Sequence, residues 1–451
     1  MVDRKEARDQ IFESINASLV EGNIQSAMDS FLALHPGDQV EVFELLEEKE
    51  QSTLLAKLDV SATARLFSHQ EDSETLQAAE SLPIEKLADV LDEMEPDEAA
   101  DLLGDLPPEQ ALEALEQMEE TEDVLALLKY PDATAGGRMT TEFVSVDQSF
   151  SVSQVIGFLR KVSLDSEVPY YIYVTDKSKK LAGVTGLREL VVSPDEKNIG
   201  AIMDPDVIYV NAWMDQEEVA QVMASYDLSA LPVVNDDFQL VGIITHDDIL
   251  DVLQEEATED IYRLANVSDF EIEPDSPVIA QLRGRLPWLF LNTLTALFAS
   301  WVISNFEELI TQIAVLAIFQ SVVAGQGGNA ASQSVAMVVR ALALEKIPPG
   351  KTLSLLTRQM AVGLFQGLII GAVVGMGVYL WRGNLQLGIV LGLALVGNLI
   401  IAGIVGTLTP LGLRAIGQDP ALASSVLVTA VTDSLGFFIF LSLAKIYFRE
   451  L

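Results

Sequence analysis

The sequence predicts a multidomain protein in four parts. These are an α-helical, superhelical N-terminal domain (residues 1–135), an α/β domain built from a tandem repeat (136–252), a connector helix (253–284) and an α-helical membrane domain of five spans (285–451). Three observations predict this. A chain of 451 residues is longer than one domain usually runs. Its net charge of −40 is unevenly placed, since all but six of the 67 carboxylates precede Pro287. Long apolar runs follow that proline, and two kinds of internal repeat come before it.

The acidic excess argues against nucleic acid as a partner, because phosphate contacts need clustered Lys and Arg. It favours cations, against the plainer reading of a solubilising surface. There is no cysteine, hence no disulfide and no thiolate ligand. The opening MVDRKEARDQ has no apolar run, so no cleaved signal peptide is expected. There is no P-loop and no nucleophile elbow, and the three histidines (His35, His69, His246) all precede the apolar half, so the chain reads as a non-enzyme.

In the N-terminal part, SLPIEKLADVLDEM, EPDEAADLLGDL and PPEQALEALEQM repeat a unit that opens with Pro beside an acid and then spaces Leu and Ala helically. Proline suits a first helical turn, and stacked units bury a shared seam. From Met139 the pattern changes. YYIYVTD (Tyr170–Asp176) and LPVVNDD (Leu231–Asp237) are β-rich runs, each followed by a Gly-containing strand, LAGVTG or LVGIIT, and then by a helix. The helices SVSQVIGFLRK and DQEEVAQVMASYD precede them, so the order occurs twice. With MTTEFVSVDQSFSV, IMDPDVIYVNAWMD and GIITHDDIL at its borders, this duplication resembles a tandem pair of CBS domains, a Bateman module. ILDVLQEEATEDIYRLANV, residues 249–267, reads as a long acidic helix leading to the membrane.

Five apolar stretches follow, about Leu286–Phe306, Ile310–Leu344, Val362–Leu380, Leu385–Leu408 and Ala421–Ile446. A span needs about 20 apolar residues. The second stretch is too long for one straight span, and a break is expected at Gly325–Asn329, the alternative being a packing or kink feature in which glycines let helices approach closely. Arg283 and Arg285, then Arg340, Lys346, Lys351 and Arg358, then Arg414 mark the cytoplasmic loops. Glu307, Glu308, Arg382, Lys445 and Arg449 fall on the other side. The acidic half is then inside and Leu451 outside.

Asp433 is the sharpest single residue. It lies near the middle of the apolar run VLVTAVTDSLGFFIF, where an acid costs about 2.5–3.5 kcal/mol on insertion scales. Ser425, Thr429 and Gly436 share its helical face, which suits a wet wall; the alternative is a carboxylate paired to another helix. Asn329 and Gln333, four apart, form a second polar face, or else an interhelical hydrogen-bonding pair. These groups offer hard oxygen ligands, which match Mg²⁺, an ion that keeps several waters and uses one or two carboxylates. Nothing suggests a soft-metal site. In the acidic half, Asp97 and Asp101, Asp247 and Asp251, Glu255 and Glu259, and Glu256 and Asp260 are all four apart, and Asp215, Glu217 and Asp227 flank the second repeat. Like charges at that spacing repel unless a cation joins them; a solvated acidic face is the plain alternative.

Taken together, the order of parts resembles the MgtE family of magnesium channels over nearly the whole chain. EEATEDIYRL resembles the start of the family's plug helix, GGNAASQS its span-two motif and DPALASSVLVTAVTDSLG its last span. The resemblance implies a homodimer with its pore at the subunit interface, and Asp433 as the acid of the pore's ion site. It implies a carbonyl near Thr429 beside that site and Asp419 at the cytoplasmic mouth. Sensor sites are implied at Asp97, Asp101, Asp215, Glu217, Asp227, Asp248, Asp251, Glu256, Glu259 and Asp260. Two departures bear on the pore: Ser332 stands where the family usually has Asn, and FQSVVAGQGG lacks a common Pro. Gly242, Thr245 and Asp248 keep a nucleotide pattern in the second repeat, whereas Gly186 replaces the usual Ser or Thr in the first; ATP is implied as a regulatory ligand. The expected function is Mg²⁺ uptake across the bacterial inner membrane, closed by intracellular Mg²⁺. An ion-coupled divalent transporter and a nucleotide-sensing membrane protein are the alternatives.

Overall fold

A computed structural model describes all residues except 1, 71, 162–170, 269–271, 273, 275, 345, 349, 423 and 449–451, and leaves the side chains of 2–10, 48, 72, 73 and 424 undescribed. Tyr170 of the first predicted strand, Glu345, and Arg449 and Leu451 of the predicted outer tail therefore lie outside the described residues. The chain forms two compact units, Met1–Leu253 and Gln254–Leu451.

The first unit opens with short helices: α1 (Val2–Val20), α2 (Ile24–Leu32), α3 (Pro36–Glu44), α4 (Glu48–Leu55), α5 (Val60–Phe67), α6 (Asp72–Glu80), α7 (Ile84–Glu93), α8 (Pro96–Asp105), α9 (Pro108–Gln117) and α10 (Glu122–Leu127). The repeated proline places each start, with Pro83 preceding α7 and Pro96 and Pro108 opening α8 and α9. Missing N–H groups cost nothing there, because the first turn has no intrahelical acceptor. Leu87, Val90 and Leu91 of α7 and Leu102 and Leu103 of α8 are buried, at about 1.5–3 kcal/mol for each such side chain. α5 packs on α7 and α7 on α9, while α6 packs on α8 and α8 on α10. From α3 to α8 each helix thus meets the second one along the chain, the stacking expected of a superhelix. Lys86 closes the end of α4, its Nζ donating to the carbonyls of Leu55 at 2.5 Å and Leu58 at 2.6 Å. Burial lowers its pKa, partly offset by Asp59.

The duplicated α/β part has two three-stranded sheets of identical order. β1 (Ser145–Asp147) pairs parallel to β2 (Tyr171–Thr175), which pairs antiparallel to β3 (Leu181–Gly186). β4 (Val210–Asn211), β5 (Ala230–Val234) and β6 (Leu240–Thr245) repeat this, with the same register irregularity near the end of the middle strand. α11 (Val152–Leu159) precedes β2, α12 (Leu187–Val192) follows β3, and α13 (Gln216–Tyr226) precedes β5. Each repeat leans a methionine on a strand glycine: Met203 on Gly183 and Met139 on Gly242, where an added Cβ meets sulfur at 2.6 and 2.5 Å. One core runs from Ile15 through the helical stack into the second repeat at Val252.

α14 (His246–Leu264) leaves β6 and continues into the first part of the predicted connector, which is helical to Leu264 and again from Val278, where α15 begins. The expected boundary after residue 252 is therefore no break in the backbone, and the division between the two units falls inside this helix.

The second unit holds α15 (Val278–Ser304), α16 (Glu307–Gln312), α17 (Val315–Ala343), α18 (Thr352–Arg382), α19 (Leu385–Ala415) and α20 (Ser424–Tyr447). α15, α18, α19 and α20 are long and apolar enough to cross a membrane. α17, with 29 residues, has the length of a span, about 43 Å at 1.5 Å per residue, and is diluted by Gln326, Asn329, Ser332 and Gln333. The break expected at Gly325–Asn329 does not occur. α17 is continuous there, and the interruption lies at Ile313 and Ala314, after α16. The glycines serve packing instead, as described below for Gly327.

α18 and α19 approach through glycine on both sides. An added Cβ at Gly371 comes 2.6 Å from the Gly392 carbonyl, and one at Gly375 comes 2.7 Å from that of Gly388. Lipid provides no hydrophobic drive for helix pairing, so such close backbone packing carries the association. Gly371→Ala is expected to cost about 1–3 kcal/mol through overpacking, lowering the melting temperature of the purified protein. Gly377→Ala, whose Cβ meets nothing within 4 Å, leaves it unchanged or higher. Equal melting temperatures for the two variants would contradict this account.

Candidate ion pathway and acidic clusters

Within the first unit, α8 and the start of α14 face one another across a cavity of about 170 Å³. Pro96 fixes Asp97 and Glu98 in the first turn of α8, and Asp101 follows one turn later. On the other side, Asp248 is held by the backbone N–H of Thr245 at 3.1 Å and by its hydroxyl, and Asp251 comes one turn on. Asp105 and Arg138 complete the charged lining, with Arg138 at 3.9 Å from Asp101. The structure thus brings together four predicted residues, Asp97, Asp101, Asp248 and Asp251. It adds Glu98, which accepts from the Ser68 hydroxyl at 2.5 Å.

Burial, and after it the charge of Asp248, pushes the Asp97 carboxyl well above its usual range. Asp97 is only 7 % exposed, and its Oδ1 is buried without a hydrogen-bond partner among the described residues. Burial pushes Glu98 up to about 7 despite the bond from Ser68. Asp248 is raised by burial, against the opposing bonds from Thr245. No three or more such side chains form a ready-made metal cage among the described residues.

Asp215, Glu217 and Asp227 are not gathered. Asp215 caps α13 by accepting from the Glu217 N–H at 3.0 Å, and Asp227 ends the same helix in the left-handed region at φ 57°. The length of α13, about 16 Å at 1.5 Å per residue over its 11 residues, separates them. Gly242 packs on Met139 and Thr245 bonds Asp248, so all three residues of the nucleotide pattern have structural contacts of their own.

In the second unit, the end of α14 is fastened to the start of α20. Arg263 pairs with both Glu259 and Asp419, and Asn266 donates to the Ser425 hydroxyl at 2.6 Å. Leu264 packs on the cluster of Ala331, Val335, Ala402, Ala421 and Val428. Asp260 is pushed up to about 6, first by burial and then by the charges of Asp419 and Glu256. Glu259 is raised by burial, with Arg263 opposing. Glu259 and Asp419 thus share one guanidinium, whose charge Asp260 also feels. The sequence reading passed over Arg263 and Asn266; the Glu259–Arg263 spacing of four was the available signal for the first.

Asp433 lies on α20, half-buried, with no hydrogen bond or ion pair among the described residues. Ser425 and Thr429 line a cavity of about 390 Å³ together with Asn266, Arg285, Trp288 and Asn292. The Thr429 carbonyl accepts from the Thr432 hydroxyl at 3.1 Å. Asn329 and Gln333 are exposed on α17, whereas Gly327, Ala331 and Ser334 form its buried side. Asn398, which the sequence reading did not single out, is fully buried between α17 and α20. Its signal was a lone amide within the apolar run LALVGNLIIAG.

Comparison with known proteins follows this division of parts. Residues 320–443 match the profile of the MgtE divalent cation transporters, residues 34–133 that of the MgtE intracellular N domain, and residues 199–255 that of the CBS domain. A magnesium transporter MgtE of Thermus thermophilus is 36 % identical over 440 residues, covering 96 % of this chain and 97 % of its own. One of Enterococcus faecalis is 37 % identical over 434 residues, covering 93 % of each chain. Among solved structures, the cytosolic domain of the Mg²⁺ channel MgtE in complex with ATP is 35 % identical with a TM-score of 0.51, over 53 % of this chain and 99 % of that one. With relatives this similar across almost its entire length, the chain belongs to the MgtE family of divalent cation transporters.

Proposed function

We propose that the chain is a Mg²⁺ channel, that its pathway follows the polar faces of α17 and α20, and that cytoplasmic Mg²⁺ closes it. The observation that carries this is Asp433, a half-exposed carboxylate without a cationic partner among the described residues, midway along an apolar helix. Intramembrane acids line ion routes or pair with one another, and no partner is offered here. Asn329 and Gln333, together with Asp433 and the Thr429 carbonyl, supply the oxygen that a hydrated Mg²⁺ contacts. Their exposure on one protomer supports a pathway completed by a second copy, hence a homodimer. The basic loops support a plasma-membrane orientation with the acidic half inside and residue 451 outside. An ion-coupled exchanger is the weaker reading, because α20 has one mid-span acid and no histidine relay.

The acids of the cytoplasmic half provide the sensor. Asp97, Glu98, Asp101, Asp248 and Asp251 crowd one cavity, and Glu256, Glu259, Asp260 and Asp419 crowd another region. Bound Mg²⁺ supplies two positive charges, which offset repulsion that these carboxylates otherwise relieve by moving apart or by taking up protons. Asp97 and Asp248 hold the bridged form in the first unit. Glu256, Glu259 and Asp260 hold α14 against Asp419 at the start of α20. Higher affinity for the ion in the closed arrangement is what shifts the population. Asp215, Glu217 and Asp227 serve as separate, weaker sites on this reading. ATP as a second regulatory ligand is supported by the nucleotide-bound relative and by Gly242, Thr245 and Asp248.

Proteoliposome uptake tests the channel. Asp433→Ala is expected to reduce Mg²⁺ flux at least tenfold, and flux in the wild type should need no Na⁺ or H⁺ gradient; dependence on either gradient favours the exchanger. Neutralising Glu256, Glu259 and Asp260 together should leave flux open at Mg²⁺ levels that silence the wild type. Inhibition as steep as wild type would refute the gate. The raised pKa values of Asp97, Glu98 and Asp248 predict a pH dependence. A carboxyl whose folded pKa lies above its unfolded one favours folding when protonated, and that contribution is lost as pH rises through the folded value. In chelator, the first unit of the full chain should therefore show faster amide exchange as pH-corrected rates are followed from about 4.5 to beyond 7, the range spanned by Glu98. Added Mg²⁺ should abolish the trend.

A further inference from the structure

Asn398 is a polar side chain in the bundle interior that the pathway above does not use. It is completely buried on α19. Its Nδ2 donates to the Val323 carbonyl of α17 at 2.8 Å, while its Oδ1 has no partner among the described residues. Two glycines make room for it. A Cβ at Gly327 of α17 would stand 2.1 Å from Nδ2, and one at Gly436 of α20 would stand 2.7 Å from the same atom. The amide thus fills a notch cut into both helices at once. Gly436 comes one turn after Asp433, and Gly327 two residues before Asn329.

A residue placed only to fill space would be apolar here. Leucine has the same branched outline as asparagine, though its methyl groups are bulkier than the amide, and it would leave neither an orphaned carbonyl oxygen nor a buried amide to satisfy. A half-satisfied amide is worse than an apolar contact for stability, and its known structural use is to fix register between helices. We infer that Asn398 is a positioning residue of the ion pathway: its amide, seated between Gly327 and Gly436 and bonded to Val323, sets the spacing and register of α17 and α20, and through them the setting of Asp433. This rests on the reading that those two helices line the pathway.

The test uses the full-length protein in proteoliposomes, with Mg²⁺ flux, the Mg²⁺-to-Ca²⁺ flux ratio and the melting temperature as readouts. Asn398→Leu, bulkier than the amide it replaces, is expected to melt below wild type and to lower the flux ratio about three- to tenfold, the change that loss of one interhelical hydrogen bond allows. Gly436→Ala is expected to lose flux and to regain it when combined with Asn398→Ala, because truncating the amide frees the space that the new Cβ needs. An unchanged ratio in Asn398→Leu, with Asp433→Asn altering it, overturns the role of Asn398 and leaves the pathway standing. An Asp433→Asn protein with wild-type flux and ratio overturns the pathway reading and this inference with it. Should Asn398→Leu fail to fold, the paired glycine variant decides, and absence of rescue counts against the proposal.

Discussion

A carboxylate inside hydrocarbon must meet water, a cation or a hydrogen-bond donor, and the membrane unit is organised around that requirement at Asp433. The helices do not share the burden equally. α19 is the buried centre, packed backbone to backbone on α18 through glycines, and α17 and α20 close on its other side. Because α18 and α19 supply the tight, apolar contacts, α17 and α20 are free to keep polar groups on their outer faces. Asn329 and Gln333 are exposed on α17, and Asp433 is half-exposed on α20. An acid at that depth costs about 2.5–3.5 kcal/mol, and a stable bundle offsets it where the remaining packing is dense. Dense glycine packing and a wet polar face are in this sense two halves of one arrangement.

The same electrostatic logic acts outside the membrane with the opposite emphasis. There the carboxylates are not isolated but crowded, and burial first, with neighbouring charge behind it, raises their pKa values. Asp97 and Glu98 sit at the start of α8, where the helix dipole favours negative charge, yet burial and neighbouring acids overcome that preference. A cluster in that condition has two ways to lower its energy without a metal: it binds protons or it opens. A cation removes both incentives. On the proposed gate, the cavity between α8 and α14 would have a conformational preference tied to ion concentration, and the tie would follow from charge density rather than from any preformed cage.

Much of this was legible in the sequence. The proline that opens α8 and α9 can be read directly, because its constraint is local. The doubled α/β pattern was legible because each copy repeats the order of elements around paired strands of like composition. Asp433 stood out because charge is rare in an apolar run. What the sequence concealed is contact between distant residues. Gly325–Asn329 looked like a helix break, since glycine weakens helices and nothing nearby showed that Gly327 accommodates Asn398, 71 positions later. The pairing of Arg263 with Asp419 spans 156 positions. Acids four apart occur throughout the first half, so spacing alone did not single out Asp97 and Asp248 as members of one cavity, nor did it separate them from Asp215 and Asp227, which cap opposite ends of α13.

Arg263 sharpens what a divalent ion would have to do. Near the end of α14, the Arg263 guanidinium pairs with both Glu259 and Asp419, and Asp260 lies close enough to feel the charge of all three of Arg263, Asp419 and Glu256. The guanidinium's position gives the end of α14 a resident attachment to the start of α20, seconded by the bond from Asn266 to Ser425. Asp260 is pushed up to about 6, first by burial and then by Asp419 and Glu256, with Arg263 opposing. Attachment by Arg263 alone is therefore partial, favourable in geometry and short of charge. A ligand that completes it must be cationic, must bind carboxylate oxygen and must act while Arg263 remains in place. On the proposed gate, hydrated Mg²⁺ would meet these conditions, since it requires only one or two carboxylates and would leave the pairs with Arg263 in place.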